Sequence, residues 1–241
     1  MYRDIRKRMV ILGNRAPFKS EVKSHLTQLE AREWIAMNMT LQGCMLTGEK
    51  LECVLDGGCI LEASIEEHMM INRLTELRDY IYRLSDMKAE LSVQILKDMH
   101  SIIVDGDRNE GYRKGHPILL EYGYNPILPQ DIAGELARLV DFANRKEDGE
   151  NVFQRATKVH NCLLAIYPFK EGNQILARAA MYYLLALEGF PMAALELTES
   201  AYNQQVMAYL KGAGSEALAT ELMKAVFYRF ELMMQLTDHD N

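Results

Sequence analysis

Apolar positions recur every three to five residues through most of this chain, with charged residues between them. From Ser20 to Thr40 the spacing of Leu26, Leu29, Trp34 and Met37 predicts an amphipathic helix, and MTLQGCMLTGEK, with Gly43 and Gly48, interrupts it. A short helix over Glu49–Leu55 stops at Asp56-Gly57-Gly58. Ile65, Met69, Leu74, Leu77, Tyr80 and Ile81 predict a helix over Ser64–Leu84, with Ser85 as the cap of the next one, running to about Val104. Further helices are expected after Asp131, over Val152–Ile166, over Gln174–Glu188, over Ser200–Leu210 and over Ser215–Gln235. The Gln174–Glu188 stretch is apolar nearly all round, the mark of a central helix wrapped by others.

One segment breaks the periodicity. GYRKGHPILLEYGYNPILPQD, residues 111–131, carries three glycines, three prolines and a short extended run, and predicts a small β-hairpin. The fold class expected is therefore all-α, a mainly helical bundle with one β-hairpin beside a loop between two central helices. Proline placement agrees: residues 18–116 contain none, so nothing there removes a helical donor.

Composition changes this picture little. The 241 residues are 49% hydrophobic and 25% charged, as in ordinary globular proteins. A net charge of −7 disfavours a broad grip on nucleic acid or anionic lipid. Four cysteines without CxxC spacing suggest neither a disulfide framework nor a zinc site, which with no export signal predicts a cytoplasmic protein. The apolar run Met9–Leu12 is too short for a signal peptide, and Ala179–Leu187 is about half a membrane span.

The candidate chemistry lies between the two central helices. Glu171, Gly172 and Asn173 open directly into a buried helix, whose free N–H groups and positive dipole end favour an anion. Glu171 suits a divalent cation held against phosphate oxygens, and Arg178, one turn into the helix, suits the anion itself. The same residues also suit a plain cap and turn, with Arg178 in an ion pair. Elsewhere, His160 stands two turns before Tyr167, about 10 Å along the axis, and is expected to be structural. Cys162 is expected to be inert, and His68, His100 and His116 lack metal-ligand spacing.

Tyr167-Pro-Phe-Lys-Glu-Gly-Asn-Gln-Ile-Leu-Ala-Arg resembles a degenerate form of the Fic (Fido) signature, HxFx(D/E)GNGRxxR. Gly111-Tyr112-Arg113 with the stretch that follows is similar to the family's flap, and Gly189-Phe190-Pro191 to the exit from its central helix. The resemblance spans about residues 35–235. It implies a helical core, residues 61–241, that binds Mg-ATP and in active members transfers AMP to a target-protein hydroxyl. By that resemblance Tyr167 stands where the family has its catalytic histidine, Glu171 at the metal-associated position, Gly172 and Asn173 in the phosphate cradle, and Arg178 at the second arginine. Gln174 and Ile175 replace the family's glycine and first arginine. The implied flap residues Ile118, Leu119, Leu120, Glu121 and Tyr122 would dock an extended target segment by strand addition. The arm, residues 1–60, holds Asn38-Met39-Thr40-Leu41-Gln42-Gly43, similar to the family's self-inhibitory motif, with Gln42 at its glutamate; an ordinary helix end capped by Gly43 is the other reading.

These departures imply a loss of catalysis. A tyrosine ionises near pH 10 against about 6.5 for histidine, so matching it needs a shift of about three units, or about 4 kcal/mol. Losing a general base typically costs about 10² to 10⁴ in rate, and the missing arginine contact about 1.5 to 3 kcal/mol. The expectation is a nucleotide- or phosphate-binding regulatory module, with ATP and Mg²⁺ as candidate cofactors, a target protein as partner, and no nucleic acid or membrane. The alternatives are an active AMP transferase with altered chemistry and an interaction domain with a collapsed pocket around Tyr167 and Ile175.

Overall fold

The computed structural model describes residues 1–44, 48–61, 63–106, 111–120, 122–145 and 149–238. Its helices are α1 (Tyr2–Arg15), α2 (Ser20–Leu41), α3 (Glu49–Leu55), α4 (Ile65–Asp86), α5 (Val93–Val104), α6 (Ile132–Asn144), α7 (Val152–Ile166), α8 (Asn173–Leu187), α9 (Glu199–Leu210) and α10 (Glu216–Leu236). The central helix is α8: every residue but Gln174 and Leu187 is buried, and α4, α5 and α7 pack around it. Capping places the surrounding helices. Ser64 and Asn151 form capping boxes with Glu67 and Gln154, satisfying first-turn donors that would otherwise lack partners.

The arm shares the core. Trp34 of α2 sets its ring edge-on to Tyr182 of α8, centroids 5.4 Å apart, and donates its indole N–H to the Leu74 carbonyl at 3.0 Å. The N-terminal helix buries Ile5 and Leu12, two turns apart, and lies along α10. Arg15 ties the two ends together, donating to the Met234 carbonyl at 2.9 Å.

Two expectations are corrected. Ser85 lies inside the last turn of α4, where its hydroxyl donates to the Tyr82 carbonyl, and α5 is capped instead by Ser92, whose side chain accepts from the Ile95 N–H at 3.1 Å. The hairpin does not form. Among the described residues the segment has no strand, and its one β-bridge joins Leu119 and Tyr124 around a tight turn; Glu121 lies outside the described residues. Pro117 and Pro126 cannot donate to a ladder. The carbonyls a ladder would use are also engaged: Arg113 takes those of Gly115 and Ile127, and His116 takes that of Pro126.

Candidate functional site

The loop joining α7 to α8 is shaped by two left-handed residues. Tyr167 caps α7 at φ 49°, and Gly172 begins α8 at φ 75°. Between them Asn173 is spent on closure: its Oδ1 accepts from the Phe169 N–H at 3.0 Å and its Nδ2 donates to the Phe169 carbonyl at 2.9 Å. His100 of α5 stacks on Phe169 with centroids 3.7 Å apart and reaches the Glu171 carbonyl at 3.1 Å. Gly172 is required on two counts. Its positive φ suits glycine, and a Cβ there would sit 3.0 Å from Ile103 Cγ2 and 3.2 Å from Val104 Cγ1. The close approach that glycine permits is therefore to α5.

Arg113 is the brace that sequence reasoning missed. Buried behind the loop, it donates from Nε to the Tyr167 carbonyl at 2.7 Å, from Nη1 to Gly115 at 2.8 Å, and from Nη2 to Ile127 and, at 3.2 Å, to Ile166. A cation at the carbonyl end of α7 satisfies acceptors that the helix leaves open and opposes its dipole. Its own N–H donates to the Pro168 carbonyl at 3.0 Å, which ties the segment before the turn to the loop. Between them lies a cavity of about 670 Å³ bordered by His100, Tyr112, Lys114, His116, Lys170 and Glu171, a size that accommodates a small ligand.

Arg178 is placed differently. Its side chain is 0% exposed, its Nε donates to Asn38 Oδ1 at 2.8 Å, and Nη1 and Nη2 have no hydrogen-bond partner. The guanidinium carbon stands 5.3 Å from the centre of the Tyr202 ring. Burial raises the Tyr202 phenol and the cation partly opposes that rise. Behind Tyr202, His160 is fully buried between Asn161 Oδ1 at 2.8 Å and the Tyr202 hydroxyl at 2.7 Å. Desolvation, aided by Arg178, pushes this imidazole down to about 3, against the Asn161 bond that raises it, so it is neutral. His160 is thus a satisfied core histidine. Cys162 is half-buried with its sulfur 3.2 Å from the Tyr209 hydroxyl, and burial pushes its thiol up.

The inhibitory-like element meets α8 through two side-chain bonds. Gln42, at the position of the motif's glutamate, donates to Gln174 Oε1 at 3.0 Å, and Asn38, one turn earlier, meets Arg178. Asn38 of α2 and Gln42, the residue that caps it, face Arg178 and Gln174 of α8, two antiparallel rungs at i, i+4 spacing. That spacing was visible in the sequence; the pairing was not. Gln174 then donates to the Tyr122 hydroxyl at 2.6 Å, which donates to Asn203 at 3.1 Å, tethering the 119–124 turn. On that turn Leu119 and Tyr122 are buried, while Ile118 and Leu120 are 67% and 83% exposed.

A buried guanidinium with two unpartnered nitrogens fits a phosphate, and lone Glu171, exposed seven residues earlier in the chain, fits a Mg²⁺ whose other ligands are phosphate oxygens and water. Among the described residues no cluster of three metal-ligating side chains occurs. Residues 90–185 match the Fic/DOC family. The chain carries a Fic/Fido domain. Over 173 residues it is 22% identical to protein adenylyltransferase fic-1 of Caenorhabditis briggsae and to that of Caenorhabditis elegans, covering 70% of this chain and 34% of each relative. It therefore spans about a third of the length of those relatives. Among solved structures, a Fic domain containing signaling protein from Bacteroides thetaiotaomicron superposes with a TM-score of 0.76 at 19% identity, over 97% of this chain and 95% of that one. Fic-1 from C. elegans superposes at 0.78 with 18% identity, over 98% and 72%. The Fic match contains Arg113 and the whole of Tyr167–Arg178, whereas Asn38, Gln42 and Tyr202 lie outside it.

Proposed function

We propose that this Fic domain binds a nucleotide or another phosphate ester at the start of α8 and transfers AMP weakly or not at all, acting as a binding or regulatory module. The observation that carries this reading is Arg178, buried with Nη1 and Nη2 unpartnered. A buried cation without an anion is costly, and a phosphate oxygen pair is the ligand that a guanidinium fork fits best. Bound Mg-ATP would supply a phosphoanhydride bond to break. This chain's residues would hold it: Glu171 through the metal, the first-turn N–H groups of α8 and Arg178 through phosphate. Tyr167 then has to take the proton from an incoming hydroxyl, a task for which tyrosine is about three pKa units too weak an acid. The exposed Ile118 and Leu120 offer a target protein a place to dock. Four free cysteines suit a reducing, cytoplasmic setting.

Titration with Mg-ATP up to millimolar concentration is expected to raise the melting temperature; no shift favours an interaction domain without a ligand. Incubation with labelled ATP and lysate is expected to leave proteins unlabelled, and AMP transfer abolished by Tyr167→Phe would make the domain an active transferase of altered chemistry. Tyr167→His alone is expected to remain feeble until Gln174→Gly and Ile175→Arg are added.

A further inference from the structure

Arg178 is held from two sides by residues outside the Fic match. Asn38 Oδ1 takes its Nε at 2.8 Å, and the same amide is locked in place because its Nδ2 donates to the Trp34 carbonyl at 2.9 Å. This fixes which end of the amide faces the arginine. On the other side the orientation of Tyr202 follows from a chain of bonds. Asn161 Nδ2 donates to Ser215 Oγ at 3.1 Å, so its Oδ1 must accept from His160 Nδ1–H at 2.8 Å. Neutral His160 then has a bare Nε2, which accepts the Tyr202 O–H at 2.7 Å. The phenol proton points away from Arg178, so the cation meets the ring and the hydroxyl oxygen rather than a competing donor. Nε is engaged, the guanidinium carbon lies 5.3 Å from the ring centre, and Nη1 and Nη2 are buried without a hydrogen-bond partner, the pair that a guanidinium presents to a bidentate anion.

We infer that Asn38 and Tyr202 are positioning residues that preset Arg178 as a fork for a phosphate group of a bound ligand, an inference that rests on the phosphate-binding reading above. Pre-organisation matters because a long arginine left free loses rotamer freedom on binding.

The test pairs calorimetry with nitrogen-15 NMR on the full chain, using inorganic pyrophosphate with Mg²⁺ as the probe and Arg178→Met to assign the Arg178 Nε–Hε signal. That signal is expected to be sharp and slow to exchange without ligand. Asn38→Ala and Tyr202→Leu are each expected to weaken pyrophosphate binding up to about tenfold, the cost of immobilising a released arginine side chain on binding, and to make the signal exchange rapidly. Asn38→Asp keeps an acceptor for Nε but adds a competing carboxylate, so it is expected to keep the signal sharp while losing binding. Its folded spectrum also shows that position 38 tolerates change. Wild-type affinity in Asn38→Ala and Tyr202→Leu, or an unchanged Nε–Hε signal in both, overturns the inference. If the wild type fails to bind pyrophosphate, the phosphate-binding reading fails, and the NMR signal alone still decides whether Arg178 is held.

Discussion

Two buried arginines flank the loop between α7 and α8, and their surroundings differ. Arg113 donates to four backbone carbonyls and closes the end of α7. Arg178, buried to 0% exposure, has one hydrogen-bonded nitrogen and two that are bare. A buried charge whose donors are all used serves the fold; one whose terminal donors are left over is open to a ligand, and the phosphate-binding proposal rests on that difference. The contrast separates the arginine that builds the loop from the one on which the phosphate-binding proposal rests.

The contrast breaks most visibly on deletion of each charge. Arg113→Met strands the carbonyls of Gly115, Ile127, Ile166 and Tyr167, and at about 1 kcal/mol or more for each unsatisfied group the loss is expected to reach at least about 3 kcal/mol in urea unfolding. A loss below about 1 kcal/mol would put Arg113 in the same class as Arg178. Next in size is a pH effect on the Arg178 side. Folded His160 titrates at about 3, whereas in the unfolded chain it titrates near 6.5, so between these values the unfolded state binds more protons. Stability from this group is complete above about pH 6.5 and falls by about 1.4 kcal/mol per unit as pH drops toward 3. Comparing denaturation of wild type and His160→Gln between pH 6.5 and 4.5 should show a shallower slope in the variant; parallel slopes would mean that His160 is not held neutral.

Gly172→Ala tests the loop itself. The residue must hold φ 75° and push against Ile103 and Val104, for an expected cost of about 2 kcal/mol. Arg178→Met is expected to change stability by less than about 1 kcal/mol, in either direction, because removing a poorly compensated buried charge offsets the lost bond to Asn38. The same variant should lose the Mg-ATP stabilisation, so a large stability loss with retained stabilisation would reverse the roles of the two arginines. Smallest is Gln42→Ala, which deletes one exposed side-chain bond and should cost about 0.5 kcal/mol without affecting Mg-ATP binding.

Much of the architecture was legible in local spacing. Glu49–Leu55 and Val152–Ile166 run as the pattern predicts, and the all-round apolar stretch after Gly172 is the central helix. Misreadings occurred where a local signal competed with a tertiary one. Ser85 has the chemistry of a cap but bonds back to its own helix, leaving the role to Ser92. The 111–131 segment has the glycines and extended residues of a hairpin, yet Arg113 and His116 take its carbonyls.

Sequence alone determined most of the helical segments and that Gly172 and Asn173 start the buried one, and by resemblance it implied that Tyr167, Gln174 and Ile175 depart from the Fic signature, because periodicity, caps and motif residues are properties of neighbours in the chain. Only the tertiary structure decided that Asn38 rather than Gln42 meets Arg178, that Gln42 and Gln174 touch each other, and that Arg113 braces Tyr167. Asn38 and Arg178 are 140 residues apart, and a one-turn change in how α2 lies on α8 would exchange one partner for the other. Such a choice is made by core packing, in which Trp34 against Tyr182 and Leu74 sets the register, and no local spacing encodes it.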